Sequence, residues 1–151
     1  MSRQAGFTLV ELVTVMLLIG VLSAVAIARY NPDRFEVHAA AKELVAAIRY
    51  AQEMSMSHTG ANNYQVSVTA GGYQVTQSGV AIPHPVTGAA GYASSWSGVG
   101  LSPTGTISFN GYGEPSLSGG LAWGGNQESI VLTAGGDTSA VSIQRLTGYV
   151  R

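Results

Sequence analysis

One carboxylate, Glu11, interrupts an otherwise apolar run from Phe7 to Ala28. A membrane-centred acid costs roughly 2.5 to 3.5 kcal/mol on insertion scales, and such groups mark places where a partner charge arrives. The chemistry open to Glu11 is electrostatic. Alone in an apolar core it protonates; facing an ammonium it stays ionised and fixes the axial register of two helices. Other reactive side chains form no constellation. His38, His58 and His84 lie far apart, and none stands in a spacing such as H-E-x-x-H, so no metal site is expected and the histidines read as surface residues. Serines are abundant, yet no G-x-S-x-G elbow or phosphate-binding glycine loop ahead of a helix occurs. Ala70-Gly71-Gly72 and Gly124-Gly125 read as turns. The expectation is a chain with no catalytic residue and no cofactor, which is not an enzyme.

The element that must carry Glu11 is a helix. Residues 7 to 28 at about 1.5 Å rise per residue span about 33 Å, enough for the hydrocarbon core of a bilayer. Leu9, Leu12, Val13, Met16, Leu17, Leu18, Ile19, Val21 and Leu22 cover every side of it, so lipid or protein should surround it completely. Gly20 and Ser23 are small residues three apart that permit close helix contacts. Packing such helices into a filament would bury this surface at about 25 cal/mol per Å².

Gly6 followed by Phe7-Thr8-Leu9-Val10-Glu11 resembles the processing site of type IV pilins and type II secretion pseudopilins. The resemblance implies a leader of residues 1–6, cleavage between Gly6 and Phe7 by a prepilin peptidase, and N-methylation of Phe7. Residues 7–28 would then be the transmembrane and filament-core helix, and residues 29–151 a pilin-like domain in the periplasm or outside the cell. Glu11 would be the fifth mature residue, the glutamate that pairs with the terminal amine of a neighbouring subunit. The implied partners are the peptidase, other pilin or pseudopilin subunits and an inner-membrane assembly platform. The implied place is the bacterial inner membrane, crossed once, and then a filament.

Two other readings of the amino terminus stay open on the residues. A secretory signal has a charged start, an apolar stretch of 7 to 15 residues and an A-x-A site; Arg3 and Ala24-Val25-Ala26 offer these, although the run is longer and holds a glutamate. An uncleaved anchor fits the length equally well. The three readings predict mature starts at Phe7, near Ile27, or at Met1.

About 120 of the 151 residues follow the apolar run, room for one modest domain. The net charge is -1, and from Arg29 onward six basic groups meet seven acidic ones, so a general nucleic-acid surface is not indicated. Cysteine is absent, so no disulfide is available even where export would permit one. Many major pilins close their carboxy-terminal region with a disulfide; the absence speaks for a minor subunit or pseudopilin, with the major pilin as the alternative.

Asn31-Pro32-Asp33 predicts a break. Beyond it Val37, Ala41, Leu44, Ile48, Ala51 and Ser55 fall at alternating spacings of four and three, one stripe on a helix from about Phe35 to His58, stopped by Gly60, Asn62 and Asn63. Its expected role is to pack on a sheet. Residues 64–69 and 73–77 alternate as strands around Ala70-Gly71-Gly72, a turn able to take positive φ; Thr106 to Asn110 reads as another strand; Ser129 to Thr133 and Ala140 to Arg145 form a second hairpin through residues 134–137. A helix first and antiparallel strands afterwards make the fold α+β. Pro85 to Gly105, rich in Gly, Ala and Ser, reads as a long surface loop or a short edge strand framed by loops. Trp96 and Trp123 are expected to cap a small core.

The carboxy-terminal strand and Thr147-Gly148 turn, with Phe109-Asn110-Gly111-Tyr112-Gly113, resemble the H-type pseudopilins and FimT-like minor pilins. Some FimT-like members bind DNA through a basic carboxy-terminal loop. By that resemblance Arg145 and Arg151 are possible ligand or DNA contacts, and a signal-anchored adhesin or DNA-binding module, with its contact at Tyr92 to Trp96 or at these arginines, is a further alternative.

Overall fold

The computed structural model describes residues 6–28, 32–57 and 63–151. They fall into two compact units, residues 1–32 and 33–151. The expected break residue Asn31, the helix-stop residues Gly60 and Asn62, and His58 lie outside the described residues.

The first unit contains α1, Leu9–Ala28. Thr8 is its N-cap: the Glu11 N–H donates to Thr8 Oγ1 at 3.2 Å, the side-chain half of a capping box T-x-x-E.

The second unit holds α2 from its second residue onward; the helix, Pro32–Ser57, starts three residues earlier than the stripe suggests. Pro32 takes the first helical position, where its missing N–H costs nothing and its fixed φ suits the helix. The stripe itself is buried as expected, widened by Ala40 and Ala47.

Among the described residues nine strands follow, all antiparallel, in two sheets. The larger contains β1 (Tyr64–Thr69), β2 (Gly72–Gln77), β3 (Val80–Ala81), β4 (Ala93–Ser95), β6 (Gly105–Phe109) and β7 (Pro115–Gly119), in the order β3-β2-β1-β6-β7 with β4 also on the outer edge of β2. The smaller is β5-β8-β9, from Gly100–Ser102, Gln127–Ala134 and Asp137–Gln144. One apolar core takes Leu44 and Ile48 from α2, Val66, Val75 and Ile107 from the large sheet, and Ile130, Leu132 and Ile143 from the small one. The fold is α+β and pilin-like in its order of elements.

The two expected hairpins are present with tighter turns. Thr69 pairs with Gly72, leaving a two-residue connection. Neither Gly71 nor Gly72 takes positive φ, so the glycine there has another cause. A Cβ on Gly72 would overlap the Ser94 carbonyl; the position is small because β4 crosses it. In the second hairpin Ala134 pairs with Asp137 across Gly135 and Gly136, both at positive φ. That geometry suits the twist of the flanking strands.

The segment from Pro85 to Gly105 meets the expected alternative of a short edge strand framed by loops, and departs from expectation in its burial. It supplies two strands, and Tyr92, Val99 and Leu101 are buried in the core. Apolar residues spaced seven and two apart among glycines and serines show no strand alternation, yet each fills a place in a core that other elements enclose. Trp96 and Trp123 pack against that core half-buried.

Candidate functional site

At the amino terminus, Gly6 and Phe7 precede the first turn of α1 outside any regular element, with Phe7 86% exposed. A Cβ at Gly6 would meet nothing. The next peptide groups are held by the Thr8 cap, and the Thr14 hydroxyl donates to the Glu11 carbonyl at 2.9 Å. Glu11 stands in the first helical turn, where the helix dipole favours an anion. Sequence reasoning missed Thr8, although the Thr8-x-x-Glu11 spacing is a helix-start signal in its own right. From Leu9 to Ile27 the helix is long and apolar enough to cross a membrane, and none of it is buried. Gly20 likewise has open space where a Cβ would stand.

The second feature is a groove of about 400 Å³ between α2 and β9. His38, Lys42, Val45 and Arg49 line it from one helix face, at spacings of four, three and four. Opposite stand Ser139 to Val141 and Arg151. Arg49 Nη2 donates to the Val150 carbonyl at 2.7 Å and its guanidinium lies 6.0 Å from the centre of the Tyr149 ring. The two terminal arginines are therefore not one patch: Arg151 lines the groove, while Arg145, exposed, donates its backbone N–H to Asn126 at 2.8 Å and lies outside the lining. Beside the groove, Gln52 Nε2 donates to Gly113 O and to Thr147 O, both at 2.9 Å, tying two surface turns to α2.

The third is an aromatic cluster closed by an acid. The Tyr73 hydroxyl and the Trp96 indole N–H donate to the two oxygens of Glu43, at 3.2 and 3.1 Å. Tyr92 stacks edge-on against Tyr73 and Tyr50, at 6.0 and 5.3 Å between ring centres. Burial, and then the Glu43 charge, push the Tyr73 hydroxyl far above the ordinary tyrosine range; burial likewise raises Tyr92. A phenol held neutral beside a carboxylate acceptor is a fastening, here of β2 to α2, and the Trp96 indole fastens the segment after Tyr92 to the same carboxylate. The suggested ligand loop from Tyr92 to Trp96 is thus committed to packing. His84 is also not a plain surface residue: its ring lies 4.5 Å from that of Tyr92, and Nδ1 accepts from the Val86 and Thr87 N–H groups at 3.2 and 3.3 Å. Among the described residues no three His, Cys, Asp or Glu side chains gather as metal ligands.

The description "Prokaryotic N-terminal methylation motif" matches residues 1–27, the stretch that holds Gly6, Phe7, Thr8 and Glu11. No curated protein and no solved structure matches the chain. The first 27 residues of the chain thus carry a prokaryotic N-terminal methylation motif, in agreement with the resemblance of Gly6 to Glu11 to a prepilin processing site.

Proposed function

We propose that this protein is a minor pilin or pseudopilin of a type IV pilus or type II secretion filament. Prepilin peptidase cleaves it between Gly6 and Phe7 and methylates Phe7. Residues 7–28 hold it in the inner membrane with residues 29–151 in the periplasm, until the assembly platform inserts it into the filament. The observation that carries this reading is the matched motif seated on α1, whose apolar surface is wholly exposed and whose first turn presents Glu11. A carboxylate there serves two ends. It satisfies the positive end of its own helix, and it offers a counter-charge to the terminal ammonium of an adjoining subunit.

The test is Glu11→Gln. Cleavage at Gly6 should proceed, because the peptide to be cut lies before the helix, while incorporation into filaments should fall at least tenfold, about 1.4 kcal/mol of lost pairing. Quantitative immunoblotting of sheared filaments against the membrane fraction reads both. Normal incorporation would remove the pairing role of Glu11. The absence of cysteine favours the minor over the major subunit; copy number in purified filaments separates them.

A further inference from the structure

The outer edge of β9 is covered along only part of its length. The Ser142 N–H donates to Arg151 O at 2.9 Å, the Arg151 N–H returns to Ser142 O at 3.1 Å, and the Gln144 N–H donates to Tyr149 O at 2.9 Å. Val150 completes this short antiparallel bridge opposite Ile143. In an antiparallel strand every second residue aims both backbone groups to the same side. Thr138 and Ala140 therefore share the outward direction of Ser142, and among the described residues no backbone group pairs with them on that side. An open edge of this kind is a template for another strand.

This open stretch runs into the groove beside α2. Side chains of a strand added there would alternate, one set facing the α2 wall that carries Lys42, Val45 and Arg49, with Arg151 at the covered end. Among the described residues no acidic side chain lines the groove. Backbone pairing supplies affinity in strand addition, and the wall facing alternate side chains supplies specificity. The wall here is cationic around an apolar floor of Ala41 and Val45.

We propose that the groove between α2 and β9 receives an extended acidic segment of a partner protein, which pairs with Thr138 and Ala140 in line with Val150–Arg151 and sets carboxylates against Lys42, Arg49 and Arg151. The occupant is an acidic peptide strand because the edge demands an extended backbone and the wall demands negative charge. Every residue that lines this surface belongs to the second unit, so the proposal does not rest on entry into a filament.

The experiment uses the full chain in zwitterionic detergent micelles and fluorescently labelled heptapeptides read by anisotropy. An alternating threonine–glutamate peptide should bind, and bind more weakly as salt is raised through a few hundred millimolar, as the ionic screening length shortens below about 10 Å. An alternating threonine–lysine peptide should not bind. Lys42→Glu should weaken binding about fivefold or more, since one surface charge pair contributes up to about 1 kcal/mol and reversal turns attraction into repulsion. Ala140→Pro removes an outward N–H at an edge position that tolerates proline, and should abolish binding. If Ala140→Pro does not fold, Lys42→Glu, at an exposed side chain, still decides the charge requirement. Equal binding of the lysine peptide, indifference to Lys42→Glu, or equal binding of a proline–glutamate peptide that cannot donate backbone hydrogen bonds would each overturn the proposal. So would self-association that Ala140→Pro abolishes while no peptide binds, which would give the edge to a second copy.

Discussion

Replacing Glu43 with alanine removes one acceptor shared by two donors that reach α2 from β2 and from the segment after β4. The Tyr73 hydroxyl is 3.2 Å away and belongs to a residue only 3% exposed, so it would lose its carboxylate acceptor in a buried setting and keep only its contact with the Tyr92 hydroxyl. Losing a buried hydrogen bond to a charged group costs about 1–3 kcal/mol. The Trp96 N–H, 3.1 Å from the other oxygen, is half-buried and can turn to water, so its loss adds only about 1 kcal/mol. Together the change should cost about 2–4 kcal/mol. At about 4 °C per kcal/mol for a domain of this size, the melting temperature should fall by about 8–16 °C. Glu43→Gln keeps an acceptor oxygen and should recover at least half of that loss. The assay is thermal melting of the full chain in micelles followed by near-ultraviolet circular dichroism, in which Tyr73 and Trp96 report directly. Glu53→Ala, at an exposed position on the same helix, is the control and should stay within about 2 °C of the parent. A Glu43→Ala protein that melts within that same margin would refute the fastening role.

The raised Tyr73 hydroxyl makes a pH prediction. Its folded ionisation lies above the unfolded value near 10, so its contribution is intact below about pH 10 and is lost as pH rises above it, by up to about 1.4 kcal/mol per pH unit. Urea unfolding of Tyr73→Phe between pH 9 and 11.5 should show a shallower decline than the parent, and an unchanged slope would contradict the assignment. Gly72→Ala should force β4 away from β2, costing about 1–3 kcal/mol by overpacking and speeding amide exchange at the Tyr73–Ser94 pairing; native exchange rates there would sink this account.

The parts of the fold that could be read from the chain are those whose signal is periodic and local. The Val37 to Ser55 stripe repeats with the helical period over five turns, and Val66, Val68 and Val75 alternate within strands long enough to show it. Strands of three residues cannot display alternation, so Ala93–Ser95 and Gly100–Ser102 were legible only as a loop or a short edge strand framed by loops. The core role of Tyr92, Val99 and Leu101 depends on what encloses them. Distance along the chain hid the rest. Glu43 meets donors 30 and 53 residues away, and Arg49 meets Val150 across 101 residues, contacts for which no spacing rule exists. Arg145 and Arg151 looked like one basic end because they are near in sequence; the turn at Thr147–Gly148 and the return of Val150 to Ile143 send only Arg151 into the groove. At the amino terminus the opposite held. Gly6, Phe7 and Glu11 sit in one short stretch whose reading rests on its resemblance to a known processing motif, and the structure adds the Thr8 cap that starts the helix at Leu9.

The account rests on an amino terminus made by cutting one peptide bond ahead of α1. Intact-mass and terminal-fragment spectrometry of the protein from membranes, with and without an active prepilin peptidase, tests it directly. The expected species begins at Phe7 with a methyl group on its amine when the peptidase is active, and retains residues 1–6 when it is not. A mature chain beginning near Ile27, or at Met1 whatever the state of the peptidase, would contradict the central claim.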